Sequence, residues 1–382
     1  MNSQEMYEKM KSRLEKIVPN VELRIKAEIA VEIEELKVEK NAVILGHNYM
    51  EPALFYSIPD FTGDSLDLSR KAAQTDKSVI VFCGVRFMAE TAKILNPSKT
   101  VLLPSEKAGC SLAASITAED VRNLKARFPG VPVVTYVNTY ADVKAESDIC
   151  CTSSNAVAVV ESLKTDTVIF LPDEYLAKNV ANKTGKHIVF PTLGPATLVL
   201  THHHSTSAGT RPAGQEGEAL TPGRSTLAGT PPKGREELAE LDYQMIGWHG
   251  RCEVHEKFTV ADIQAVRQQF PDVVVLTHPE CSPEVVAASD FSGSTNAMIR
   301  YVQQTNAPRY LVLTECAMGD NIAAANPEKE MLRLCMVRCP HMNTITMEET
   351  RDALKFNRYV IEVPEEIRVK AYRAVERMIA IG

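Results

Sequence analysis

The chain has 382 residues, of which 45% are apolar and 24% charged, and its formal net charge is -7. Single cores stop growing near ~250 to 300 residues, so more than one is expected. The acidic balance without a basic run argues against nucleic acid, and no stretch approaches the ~20 apolar residues of a membrane span.

The N-terminus, MNSQEMYEKMKSRLEKI, is charged and lacks the apolar core of a signal peptide, which points to the cytoplasm. Residues 3–38 read as helix, with Met6, Met10, Leu14 and Ile17 on one stripe and a second run after Pro19. A first α/β unit then opens with a strand at Asn41-AVILG and a polar turn at His47, Asn48 and Tyr49. A helix starts near Gly63-Asp64-Ser65, followed by the strand Ser78-VIVFC, the helix Phe87-MAETAKIL and the strand Thr100-VLLP. A second unit repeats this order. It runs from the strand Val131-PVVT and the turn Tyr136-Val137-Asn138 to a helix start at Thr152-SSN, then Asp166-TVIFL, Glu174-YLAKNV and Tyr243-QMIG. The third opens with Asp272-VVVLT, the turn His278-Pro279-Glu280 and a helix start at Gly293-STN, and continues with Arg309-YLVLT. Its last strand is poorly marked in MLRLCMVR.

Short β-branched strands alternating with helices indicate parallel sheets built from βαβ units. The pattern predicts an α/β protein of three homologous three-layer αβα domains, with small parallel sheets in pseudo-threefold arrangement around a central site. The boundaries fall at 1–128, 129–257 and 258–349, with a C-terminal helix in 350–382 packing on the first unit. The second unit is interrupted at about 193–234 by a Gly-, Pro-, Thr- and Ser-rich stretch, read as a flexible insertion. Its His202, His203 and His204 read as part of a solvated loop.

Each unit ends in the same device: a cysteine, six residues, then a threonine opening an acidic helix start. The copies are Cys110 with Thr117, Cys252 with Thr259, and Cys339 with Thr346; Asp120, Asp262 and Glu349 complete three predicted capping boxes. Nine cysteines is an odd number, and in a reducing compartment cysteines outside a core are metal ligands or reactive thiols more often than disulfides. Three matched thiols point to one shared ligand. Zinc would need a fourth protein ligand or an open catalytic position, and its cysteines usually come in close pairs. A 4Fe-4S cluster on three cysteines would keep one iron open as a Lewis acid. Cys83, Cys150, Cys151, Cys281 and Cys316 do not recur in all units and read as small buried hydrophobes; Cys335, four residues before Cys339, competes with it.

In an open parallel sheet functional groups gather beyond the carboxyl ends of the strands. If the three units face one axis, His47, Tyr49, Tyr136, Asn138, His278 and Glu280 converge with the cysteines. Glu280 is the one carboxylate among these turn positions and the best general base from chemistry alone. Hydroxyls near Ser65, Ser153 and Thr295 offer anion contacts, with Ser154 an alternative to Ser153.

The set HNY with GDS, GVRFMAETAKIL, YVNT with CTSSNA, HPE with GST, and CPHM closely resembles the quinolinate synthase family through most of residues 40–360, outside the insertion. The resemblance implies condensation of iminoaspartate with dihydroxyacetone phosphate to quinolinate, releasing phosphate and water, in NAD biosynthesis. It implies a 4Fe-4S cluster on Cys110, Cys252 and Cys339 with one open iron. Substrate contacts carry over to His47, Ser65, Tyr136, Asn138, Ser153, His278, Glu280 and Thr295, with Tyr49 as an acid or base and His47, Tyr49 and Glu280 sharing the proton transfers. It also implies a functional link to L-aspartate oxidase as the source of the imine, no nucleic-acid or membrane partner, and compatibility with a homodimer. Another 4Fe-4S hydro-lyase and a non-catalytic iron-sulfur sensor are the alternatives.

Overall fold

The computed structural model describes residues 1–191, 243–334 and 337–382. The 193–234 stretch, with its three histidines, and Cys335 lie outside the described residues. Two helices, α1 (Ser3–Leu14) and α2 (Asn20–Glu39), precede the first sheet, with Pro19 as the N-cap of the second. Met6, Met10 and Leu14 form the buried stripe of α1.

The first unit contains β1 (Ala42–His47), α3 (Pro52–Phe55), β2 (Phe61–Gly63), α4 (Ser65–Gln74), β3 (Val79–Cys83), α5 (Arg86–Leu95) and β4 (Thr100–Leu102). After α6 (Ala118–Arg127) come β5 (Val133–Tyr136), α7 (Ala141–Ala145), β6 (Ile149–Cys151), α8 (Ala156–Ser162), β7 (Val168–Leu171), α9 (Glu174–Thr184), β8 (Ile188–Val189) and β9 (Met245–Ile246). After α10 (Val260–Gln269) come β10 (Val274–Thr277), α11 (Pro283–Ala288), β11 (Phe291–Ser292), α12 (Thr295–Gln304), β12 (Arg309–Leu313), α13 (Cys316–Ala325) and β13 (Glu330–Arg333). The chain closes with α14 (Met347–Phe356) and α15 (Glu365–Ile379).

Three sheets result, with orders β2-β1-β3-β4, β6-β5-β7-β9-β8 and β11-β10-β12-β13, and every ladder between their strands is parallel. In the third sheet Val275, Leu311 and Leu313 pack on one face while Leu276, Tyr310 and Val312 pack on the other. This alternation along β10 and β12 makes the sheet the middle of three layers, and explains why its strands read as unbroken apolar runs. The second sheet does the same, Val133, Ile169 and Leu171 facing one core and Val134, Val168 and Phe170 the other.

The structure adds elements that sequence reading passed over. Each first strand is followed by a short helix (α3, α7 or α11) and a short edge strand (β2, β6 or β11) before the helix that leads to the next strand (α4, α8 or α12). Elements of two to six residues carry no measurable apolar period. The second sheet has β8 as an extra edge strand beyond β9.

Packing runs between units as well as within them. The helix after the third strand of one unit touches the short helix of the next: α5 meets α7, α9 meets α11, and α13 meets α3. Likewise α6 packs on α7, α10 on α11, and α14 on α2 and β3. The cysteine loops are therefore the crossovers between sheets. The C-terminal helix α15 packs on the first unit, against α5 and α4, and also on the second, against α7 and β6. Its apolar face, Ala371, Ala374, Val375 and Met378, is fully buried in that seam.

Candidate active site

The carboxyl ends of the central strands supply three equivalent turns. In register, His47 pairs with Gly63, Tyr136 with Cys151, and Thr277, the residue before His278, with Ser292. His47, Tyr136 and His278 thus hold one position in the three units, and Tyr49, Asn138 and Glu280, two residues on, hold the next. Counting from the edge strands makes Ser65, Ser153 and Thr295 equivalent in the same way. Ser153, rather than Ser154, faces the site: its Oγ is 3.2 Å from His278 Nε2, whereas Ser154 donates to Asp64 Oδ2 at 2.6 Å.

All of these residues line one cavity together with Cys110, Cys252 and Cys339. It has ≈ 710 Å³ of empty volume, part of it open to solvent, and Val85, Phe87 and Met88 form an apolar wall. A concave lining of apolar side chains with a few convergent polar groups suits a small-molecule site. Three units contribute to it because each presents the same strand-end turn and the same cysteine loop to a shared centre.

The cysteine loops place their thiols through local geometry. A 3-10 turn starts three residues after each cysteine, at Ala113, His255 and Met342, and leads to the threonine cap. Thr117 and Thr259 close full capping boxes with Asp120 and Asp262. The third box is half closed, a correction to the expectation for Glu349: Thr346 accepts from its N-H at 3.2 Å, but the longer Glu349 side chain returns no bond to the cap. Cys110, Cys252 and Cys339 are half-buried, whereas Cys83, Cys150, Cys151, Cys281 and Cys316 are buried. None of these eight is in a disulfide. Burial pushes the Cys110 thiol up to about 12 and the Cys339 thiol up to about 11, and raises Cys252 as well. A bound metal would therefore displace protons from these thiols. Three soft donors on one cavity fit an iron-sulfur group, and no close cysteine pair of the structural-zinc kind is present among the described residues.

Glu280 is the electrostatic centre. Burial alone would raise its carboxyl, but His255 and His278 outweigh it and hold the group below the usual carboxylate range. Its Oε2 lies 2.8 Å from His255 Nδ1 and 3.2 Å from His278 Nδ1, and its Oε1 accepts from Asn138 Nδ2 at 3.3 Å. The imidazoles of His255 and His278 stack at 4.7 Å between centroids. Burial lowers His255, so its ring is neutral at pH 7. The neutral ring beside an ionised carboxylate assigns the tautomer: Nδ1-H donates to Glu280, and Nε2 accepts from the Thr314 hydroxyl at 2.9 Å. Thr314 Oγ1 in turn accepts from the Tyr49 hydroxyl at 2.6 Å. A continuous hydrogen-bonded chain thus joins Tyr49 to Glu280. Burial, and then the Glu280 charge, raise Tyr49 well above its ordinary value, which keeps its proton on. Burial lowers His47 to about 4, and its Nδ1 accepts from Tyr49 N-H at 3.2 Å, leaving Nε2 to carry the ring proton.

Several residues at the site escaped sequence reading. His255 is the main one: it stands three residues after Cys252, where the other units have Ala113 and Met342, so the repeat hid it. The Cys-x-x-His spacing was the available signal. Asp64, Glu253 and His341 also line the cavity, and His341 Nε2 lies 3.2 Å from Glu253 Oε1 across two cysteine loops. Thr314 is buried behind the site, where no local motif marks it.

A family model described as quinolinate synthetase A protein matches residues 31–380, a span that includes the 193–234 stretch the motifs do not reach. Quinolinate synthase 2 of Mesorhizobium japonicum is 48% identical over 369 residues, covering 97% of this chain and 96% of that protein. Quinolinate synthase of Xylella fastidiosa is 47% identical over 359 residues, 94% of this chain and 89% of its own. That of Agrobacterium fabrum is 46% identical over 369 residues, 97% and 90% respectively.

Proposed function

The chain belongs to the quinolinate synthetase A family and is an enzyme, and from that premise we propose that it condenses iminoaspartate with dihydroxyacetone phosphate to quinolinate, releasing phosphate and water, in NAD biosynthesis. The observation that carries this reading is the joining of an acid and a base, Tyr49 and Glu280, by one hydrogen-bonded chain on a cavity lined by three thiols and three equivalent hydroxyls.

Cys110, Cys252 and Cys339 would hold a 4Fe-4S cluster, which when bound supplies a Lewis acid at its uncoordinated iron. The remaining chemistry falls to the chain's own residues. Both substrates are anionic, and Ser65, Ser153 and Thr295 present hydroxyls to carboxylate and phosphate oxygens. Thr295 Oγ1 accepts from Asn48 Nδ2 at 2.8 Å, which leaves its own proton to donate to a ligand. Imine formation, enolisation and dehydration each move a proton. Glu280, held ionised, accepts one; Tyr49, held protonated, donates one; Thr314 and His255 connect the two. His47 Nε2 and Asn138 orient oxygens of the bound substrates, and Tyr136 closes the wall between them.

Anaerobically purified protein loaded with iron and sulfide should form quinolinate from the two substrates. Tyr49→Phe and Glu280→Gln should keep the brown chromophore and lose turnover, while Ser at Cys110, Cys252 or Cys339 should abolish the chromophore. No quinolinate from cluster-loaded protein sinks the assignment. The geometry offers one competing reading, a mononuclear metal on Cys252, His255 and Glu280, whose donor atoms lie within 4.8 Å of one another. Acid-labile sulfide matching the iron supports the cluster; a single metal without sulfide supports the mononuclear site.

A further inference from the structure

The turns that carry Tyr49 and Glu280 are each gripped from the neighbouring unit by an asparagine at the same structural position. Asn179 stands on α9 of the second unit, six residues after the Asp173 cap. Its Nδ2 donates to Pro279 O at 2.8 Å and to Cys281 O at 2.9 Å, the two carbonyls flanking Glu280. Asn321 stands on α13 of the third unit, six residues after the Glu315 cap. Its Nδ2 donates to Asn48 O at 3.1 Å and Met50 O at 2.8 Å, the two carbonyls flanking Tyr49. Both side chains are buried. Two carbonyls around one nitrogen settle which end of each amide is the donor, and Asn321 keeps this orientation although its Oδ1 is left buried without a partner.

The third equivalent position explains itself by exception. Six residues after the Val85 cap, α5 carries Thr91, whose hydroxyl turns back to Phe87 O in its own helix at 2.7 Å. The turn it would have gripped needs no asparagine. Val137 O already accepts from Thr139 N at 2.7 Å, and Thr139 O accepts from the buried ammonium of Lys144. That turn presents Asn138, which is not titratable. The two turns with proton-handling side chains are the two with an inter-unit grip.

We propose that Asn179 and Asn321 are positioning residues for Glu280 and Tyr49, each holding in place a proton-transfer side chain of the next unit of the cycle. Pinning the carbonyl before and the carbonyl after a residue fixes the peptide planes on both sides, and so the direction of its side chain. Without the grip, the Glu280 turn is free to relax away from His255 and Asn138, and the Tyr49 turn away from Thr314. Misplacement of a reacting group by about 1 Å can cost about 10²-fold in rate. The catalytic part rests on the function proposed above; the gripping itself does not.

The test uses Asn179→Ala and Asn321→Ala in the full chain, cluster-loaded under anaerobic conditions. Amide hydrogen exchange should rise at residues 278–282 in the first variant and at 47–51 in the second, with each turn unaffected by the other's substitution. In the same samples kcat per cluster should fall by about 10²-fold while KM for both substrates and the cluster absorbance stay at wild-type levels. If an alanine variant does not accumulate folded, Asn→Asp at that position keeps the volume, removes the N-H donors and takes its place. Unchanged local exchange, exchange raised throughout the molecule, or unchanged kcat per cluster overturns the proposal. If wild-type protein makes no quinolinate but the exchange changes stay local, the function fails and the grip stands.

Discussion

Burial pushes the carboxyl at position 280 up; two imidazoles outweigh it and keep the group ionised, and the Asn138 amide adds a hydrogen bond. The same desolvation keeps Tyr49 protonated, so one environment holds a carboxylate ionised and a phenol protonated at once. Thr314 makes that coupling testable. Thr314→Val preserves shape but removes the hydroxyl between Tyr49 and His255, and should lower kcat by about 10²-fold with little change in KM. Thr314→Ser should restore most of the rate; equal rates in the valine and serine variants would show that the hydroxyl plays no part. His47 gives a stability prediction with a definite sign. Its proton is taken up near 6.5 in the unfolded chain but only near 4 in the folded one. Between those values the unfolded chain binds more protons, so stability falls as pH drops through 6.5 and this group's share levels off below about 4. From pH 7 to 5 that share is about 2 kcal/mol. Urea unfolding of the cluster-free protein at both pH values should show the loss in wild type and a smaller one in His47→Gln; identical losses would remove His47 as the cause.

The cysteine loop is the recurring element, and most of it was legible because its information is local. A threonine, an acidic residue three positions on and an apolar residue before the cap specify a helix start without reference to the rest of the fold. The spacing from cysteine to cap then places each thiol at the same point of its loop. Thr117→Ala and Thr259→Ala should each cost about 1 kcal/mol in denaturant unfolding, because each loses two hydroxyl bonds, the one Oγ1 accepts from the Asp120 or Asp262 N-H and the one it donates to that residue's carboxylate. Thr346→Ala should cost less, since its box is half closed. A larger loss at Thr346 than at the other two would contradict this ranking. His255 shows where local reading ends. Its residue type breaks the repeat, and its importance comes from Glu280 and Thr314, which reach it from elsewhere in the chain.

At the scale of the molecule the three sheets are bound into one body by exchange of helices. The apolar face of α6, with Val121 and Leu124, belongs to the core of the second sheet, α10 to that of the third, and α14 returns to the first. Helix α15 seals the seam between the first and second units, where Asn155 Nδ2 donates to Met378 O at 3.0 Å and Ile381 O at 2.9 Å. No sheet therefore has a complete core of its own, and calorimetry should show one cooperative unfolding transition. Three resolved transitions would mean that the units are independently stable. The sequence by itself determined the α/β class, the three parallel sheets, the matched cysteine loops and the strand-end turns, because apolar runs, caps and turn chemistry act over a few residues. Only the tertiary structure decided that Thr314 and His255 join Tyr49 to Glu280, that Ser153 rather than Ser154 faces the cavity, that α15 bridges two units, and that asparagines of one unit hold the turns of the next. Those outcomes depend on which distant groups burial forces into hydrogen-bonding reach, and no spacing along the chain encodes that distance.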